Sequence, residues 1–93
     1  MPNRSYHVFI NEQKWLIKFC PVPSDLWGDC DYKKKEIRVS HRLYGQDRLD
    51  VLLHEIIHAR WPDLCEISVC EFASELAGIL TREGFKEELD HLD

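Results

Sequence analysis

The chain has no apolar stretch near the length needed to cross a bilayer, about 18 to 20 residues. Its N-terminus also carries no apolar segment of the kind found in a secretory signal. These two absences predict a cytoplasmic protein with no membrane partner. Internal repeats, low-complexity tracts and linkers are absent too, so we interpret residues 1–93 as a single domain.

Positive charge is scarce in this sequence. It has 12 lysines and arginines against 17 aspartates and glutamates, a formal net charge of −5. Binding to a phosphate backbone needs Lys and Arg massed on one face, so this balance argues against nucleic acid as a partner. The run of lysines from Lys33 to Lys35 stands where a hairpin turn is expected, and we interpret it as a solvated turn.

The cysteines form no C-x-x-C pair. There are four, at positions Cys20, Cys30, Cys65 and Cys70. Without a secretory signal, their even number does not imply a disulfide framework. We predict reduced thiols that mostly serve as packing residues.

The composition, 44% hydrophobic and 31% charged, is that of an ordinary globular domain. Two segments rich in aromatic and β-branched residues, 6–10 and 14–19, flank a short polar connection and predict a β-hairpin. Prolines then end the second strand, and we predict a loop up to residue 29. A third strand is predicted over residues 36–40, where apolar and polar residues alternate. The first half of the chain therefore predicts a small antiparallel sheet.

A helical pattern begins at Asp47. Apolar residues recur three and four apart from there on, and Pro62 is expected to end the helix. Asp47 and Asp50 have the spacing of a capping box at its start.

A second helix is predicted from Asp63 or Leu64 to Arg82, with Gly84 as its C-terminal stop. The acidic segment 85–93 is compatible with a further helix. The expected fold class is α+β, in which a small antiparallel sheet packs against two helices.

The first predicted helix contains the segment His54-Glu55-Ile56-Ile57-His58, an H-E-x-x-H pattern. Side chains four residues apart stand one above the other on a helix, so both imidazoles can reach one ion at about 2.0 to 2.1 Å. Glu55 is rotated about 100° from His54, so it flanks the ion without binding it. This arrangement predicts zinc-dependent hydrolysis with Glu55 as the general base.

The alternative is that two surface histidines share this spacing by chance. Such a match in a chain this short is expected on the order of once in several hundred sequences. Moreover, leucines and isoleucines make the helix apolar around much of its circumference, and ionisable groups on a buried helix need partners. We therefore interpret the two histidines as metal ligands.

A catalytic zinc normally takes three protein ligands and leaves a position for water. On a helical wheel Glu66 falls on the apolar side of the second helix, whereas Glu71 and Glu75 point away from it. A carboxylate on the buried side needs a reason to be there, so we choose Glu66 as third ligand and Glu71 as second candidate. Two alternatives stay open: Glu66 is merely favoured by the helix dipole, or Cys65 or Cys70 binds the metal as a thiolate.

The stretch from Leu52 to Leu76 resembles the gluzincins, zinc peptidases with an H-E-x-x-H helix and a glutamate ligand on the next helix. Within that class it is most similar to the ImmA/IrrE-type peptidases of bacteria and phages. Their second motif, E-x-x-A/V-x-x-F/L-A-x-x-L, is matched by Glu66, Val69, Phe72, Ala73 and Leu76. The resemblance implies a zincin-like fold, a Zn²⁺ cofactor and a third-ligand role for Glu66. It covers roughly a quarter to a third of the chain, which looks like a minimal, phage-like version.

The HEIIHA run also resembles SprT-like DNA–protein-crosslink proteases, whose third ligand is usually a downstream histidine. After His58 the sequence offers only His91, which lies in the tail. The SprT-like resemblance therefore fits the chain less well.

We expect a peptide or protein substrate, laid along an edge strand at about residues 36–40 by main-chain hydrogen bonds. The sequence singles out no helper near the substrate carbonyl oxygen, and the candidates are Tyr44, Tyr32, His41 and Arg60. The alternative function is a zinc-binding regulatory or interaction domain without turnover. Glu55 argues against it, since a structural zinc site has no use for a base.

Overall fold

The computed structural model describes residues 4–85 and contains four strands and two helices. The elements are β1 (Arg4–Ile10), β2 (Gln13–Cys20), β3 (Gly28–Asp31), β4 (Glu36–Ser40), α1 (Gly45–Arg60) and α2 (Glu66–Arg82). The α+β class is therefore confirmed. The segment after Phe85, including its helical interpretation, lies outside the described residues.

The four strands form one mixed sheet in the order β1-β2-β4-β3. The predicted hairpin is confirmed: β1 pairs antiparallel with β2, and Asn11 and Glu12 turn the chain with φ of 53° and 63°. β3 and β4 form a second antiparallel pair, whereas β2 and β4 run parallel. The prediction of an antiparallel sheet is wrong for this last pair, because β3 reverses the chain before β4 enters the sheet.

The missed strand is β3, which lies partly in the segment predicted as a loop. Its sequence, Gly-Asp-Cys-Asp, contains residue types that strands disfavour, so propensity gave no signal for it. The run Lys33 to Lys35 is confirmed as part of the turn to β4. Asp31 Oδ1 accepts hydrogen bonds from the backbone N–H groups of Lys33 and Lys34, each at 3.0 Å.

The strand order shows that the predicted edge strand for the substrate, residues 36–40, is not at an edge of the sheet. β4 has β2 on one side and β3 on the other, so it cannot accept a substrate strand as predicted. Among the described strands, β1 and β3 are the edges. Of these, β3 contacts α1.

The core lies between the sheet and α1. Its fully buried members on the sheet are Ile17, Ile37 and Val39, and Ala59 of α1 packs in the same cluster. A second apolar cluster joins the two helices and consists of Leu53, Ile57, Val69 and Ala73. α1 therefore packs against the sheet on one side and α2 on another, which explains why so much of its circumference is apolar.

The start of α1 differs from the prediction. The helix begins at Gly45 after Tyr44, which makes no side-chain cap hydrogen bond. Asp47 is not the cap residue but lies in the first turn, where a carboxylate interacts favourably with the helix dipole. The end is confirmed, since Arg60 is the last helical residue and Pro62 follows the C-cap residue Trp61.

α2 starts at Glu66, two or three residues later than predicted. Its end is confirmed at Arg82. Gly84 has a φ of 95°, its N–H donates to the Thr81 carbonyl and the Phe85 N–H donates to the Leu80 carbonyl. This pair of bonds is a Schellman motif, which uses a glycine in the left-handed region. No helix within residues 4–85 combines the length and apolar character needed to span a membrane.

The cysteines are free, but only Cys20 is buried, while Cys30 is half-buried and Cys65 and Cys70 are exposed. The prediction that they mostly pack inside is therefore wrong for the two cysteines near α2.

Gly28 lies where β3 packs tightly against α1. A Cβ there would lie 2.7 Å from the Arg38 carbonyl oxygen and 2.9 Å from Val51 Cγ1. We expect Gly28→Ala to lower the free energy of unfolding by about 1–3 kcal/mol, because the neighbours would have to move apart. Chemical denaturation measures this change.

Gly78→Ala is the matched control for that substitution. At position 78 in α2, the nearest atom to an added Cβ is Gln46 Nε2 at 3.8 Å, an ordinary contact distance. Alanine is favoured over glycine in a helix interior by about 0.5–1 kcal/mol, so this variant should be more stable than the parent protein. Equal effects at the two glycines would contradict the close approach at Gly28.

Candidate metal centre

The two motif histidines lie one turn apart on α1 and face the same way. Their ring centroids are 4.7 Å apart, and their Nε2 atoms are separated by 3.1 Å. The i, i+4 spacing sets this arrangement, because side chains four residues apart lie on one helix face. Both rings are half-buried, and each keeps its Nε2 on the side that faces α2.

Glu66 completes the cluster from the first turn of α2. Its Oε1 is 2.9 Å from His58 Nε2, and its Oε2 is 3.2 Å from His54 Nε2. Ligand atoms of the three residues all lie within 4.8 Å of one another. The short connection from His58 to α2 brings this carboxylate across to α1, while Val69 and Ala73 hold the two helices together.

These three side chains can hold a metal ion. Two ligand atoms bound at about 2.0 to 2.1 Å with a tetrahedral angle between them are about 3.3 Å apart. The measured separations of 2.9 to 3.2 Å approach that value. Two imidazoles and one carboxylate are also the ligand types of catalytic zinc sites that leave a fourth position open.

Glu66 faces α1 as the wheel predicted, but it is not buried. Its side chain is 64% exposed, because Glu66 is the first residue of α2. The prediction that Glu66 lies on the buried side of α2 is therefore wrong. Partial desolvation raises its pKa, yet the hydrogen bond from Cys70 and the nearby histidines outweigh this effect, and the net shift is downward. A low pKa keeps the carboxylate charged, as a metal ligand must be.

Glu55 lies beside the cluster on a different face of α1. It is only 8% exposed and lies against β3, where its Cγ would be 3.5 Å from a Cβ at position 28. Burial, with added repulsion from Asp29 and Glu66, raises the pKa of Glu55 to about 7. A carboxyl group with a pKa near neutrality both accepts and releases protons readily at physiological pH.

Asp29 has its own counter-ion next to Glu55. The Arg38 guanidinium binds the Asp29 carboxylate with two hydrogen bonds across the β3–β4 pair, with Nε to Oδ1 at 2.9 Å. The Asp29 carboxylate therefore lies close to Glu55 with its charge paired by Arg38.

Cys70 touches two residues of the cluster from the outside. Its Sγ is 3.4 Å from Glu66 Oε2 and 3.9 Å from His54 Nδ1. By contrast, Cys65 Sγ donates to Ser68 Oγ at 3.2 Å, and the exposed Glu71 is not part of the cluster. The structure therefore brings neither Glu71 nor a cysteine into the three-residue group.

The four candidate helper residues lie away from the metal-binding cluster or contact other groups. The Tyr32 hydroxyl donates to the His58 backbone carbonyl at 3.0 Å, which ties the β3–β4 turn to α1. Tyr44 precedes α1, roughly 15 Å along the axis from His54. His41 follows β4, and the Arg60 guanidinium stacks on the ring of Trp61. None of the four belongs to the metal-binding group.

Comparison with protein-family models, curated proteins and solved structures found no match for this chain.

Proposed function

We propose that this chain is a zinc-dependent peptidase of the zincin type, similar to the ImmA/IrrE-type peptidases. The observation that carries the proposal is the convergence of His54, His58 and Glu66 beside the buried carboxyl group of Glu55. The histidines and Glu66 would hold the ion, and zinc would supply Lewis acidity to polarise the substrate carbonyl. Glu55 does not belong to the ligand group, so its carboxylate is free to act as a base.

Glu55 moves the protons in this scheme. Its carboxylate takes a proton from the attacking water as the oxygen of that water bonds to the peptide carbonyl carbon. The C–N bond then breaks, and Glu55 returns the proton to the leaving amine. A pKa near 7 suits both transfers, because the group must accept a proton and later give it up.

The substrate strand is expected along β3. This edge strand has β4 on one side only, and its first residue, Gly28, lies against Glu55. Main-chain groups on a free strand edge can pair with an extended peptide and give affinity without a strong sequence preference. A peptide bound there would lie along the strand that packs on the catalytic helix.

Metal removal tests the proposal. Protein loaded with one equivalent of zinc should cleave members of a diverse peptide library, and dialysis against a chelator should abolish cleavage because the Lewis acid is lost. Adding zinc back should restore it. Mass spectrometry of the library measures the products.

Two results would contradict the peptidase function. One is cleavage that persists after zinc has been removed to below a tenth of an equivalent. The other is a zinc-loaded protein that cleaves no peptide, which would leave the regulatory zinc-binding domain as the better description.

A further inference from the structure

A cavity of about 470 Å³ adjoins the metal-binding cluster. It lies between the first half of α1, α2 and the segment leading into β3, and His54 and Cys70 form part of its wall. Its volume is within the range of sites that hold small ligands. Because His54 belongs to the metal-binding cluster and also to the wall of the cavity, a group in this cavity is next to the metal centre.

One side of the cavity is acidic. Asp47 and Asp50 stand three residues apart on α1, which places both carboxylates on the same face. Asp50 Oδ2 accepts a hydrogen bond from Ser74 Oγ at 3.0 Å, which ties this carboxylate to α2. No lysine or arginine is among the described residues that line the cavity.

The other side is apolar. Trp27, Leu43 and Val51 line it, and Trp27 is 55% exposed. The Arg42 guanidinium lies over the Trp27 ring, 5.6 Å from its centroid, so this ring already has a cation partner within the chain and offers the substrate an apolar surface. An aliphatic stem can pack on these side chains while a cationic end reaches the aspartates.

We propose that this cavity, which we call the acidic pocket, binds a lysine or arginine side chain of the peptide substrate. The proposal rests on the peptidase function and adds a specificity to it. Asp50 precedes His54 by one helical turn, about 6 Å along the axis, so the basic residue would lie close to the scissile bond. Its positive charge would interact with Asp50 and Asp47, and its stem would lie along Trp27.

The test compares two capped alanine-rich peptides, one carrying a single lysine and the other norleucine at the same position. We expect zinc-loaded protein to cleave the lysine peptide with a kcat/KM about tenfold or more above that of the norleucine peptide, as charge-assisted hydrogen bonds imply. The double variant Asp47→Asn and Asp50→Asn should lose this preference and still cleave the norleucine peptide. Glu71→Gln, which removes an exposed acid outside the pocket, should keep it.

Binding separates a failure of this proposal from a failure of the peptidase function. Calorimetry of both peptides on zinc-loaded Glu55→Gln measures the preference without any turnover. Cleavage or binding that is equal for the two peptides overturns the acidic pocket while leaving hydrolysis intact. A lysine preference that survives in the double variant overturns it as well. A protein that binds the lysine peptide more tightly but cleaves nothing supports the pocket and contradicts the peptidase.

Discussion

Glu55→Gln is expected to reduce kcat/KM for peptide cleavage by at least about 100-fold while zinc content stays at one equivalent. General acid–base catalysis by one positioned group contributes about 10²- to 10⁴-fold, and glutamine cannot take a proton from water. The amide has nearly the volume of the carboxyl, so the buried position against β3 should still be filled. Cleavage rates measured at matched zinc occupancy give the result.

The control for this variant is Glu71→Gln, which changes an exposed acid of α2 outside the cluster. It should cleave at the parent rate. A Glu55→Gln protein that retains the parent rate, with its zinc content and thermal melting unchanged, would remove Glu55 from the mechanism.

Alanine at His54, His58 or Glu66 is expected to weaken zinc binding by more than about 100-fold. Substituting a residue that merely supports a ligand already costs about 10- to 100-fold, and each of these three residues would contribute a bond to the metal itself. Competition with a chromophoric chelator measures the dissociation constants.

Glu71→Ala is the matched control for Glu66→Ala, because both residues are exposed glutamates of α2, and it should leave the affinity within about threefold of the parent. A larger loss at Glu71 than at Glu66 would overturn the assignment of the third ligand. Cys70→Ser should fall between the two, since its Sγ touches Glu66 and His54 without joining the group.

The juxtaposition of the two histidines could be predicted from the sequence because helix geometry alone determines it. Two residues four apart on one helix need no tertiary information to share a face. The direction of Glu66 could be predicted from the helical wheel, because Glu66 shares the apolar side of α2 with Val69 and Ala73, which pack against α1. The exposure of Glu66 was not predictable in this way, because a helical wheel gives the direction of a side chain but does not show how far the neighbouring helix α1 extends along α2.

The sheet was less predictable than the helices. The β1–β2 hairpin carries strong strand residues and a short polar turn, so local chemistry was enough. β3 has four residues of weak strand propensity and is held by its pairing with β4 and its contact with α1. The acidic pocket depends on tertiary structure in the same way, since Asp50 and Ser74 are 24 residues apart in sequence.

The parallel pair at the centre of the sheet has a consequence for how the chain folds. Each antiparallel hairpin closes over a short turn, and hairpins form within about 1–10 μs. The β2–β4 pair instead joins positions 20 apart, such as Ile17 with Ile37, and so must close a longer loop before any packing is gained. We therefore expect two preformed hairpins to dock along β2 and β4 in the slower step. Since β3 enters the sheet only through β4, the strand beside Glu55 acquires its place in the sheet during that docking.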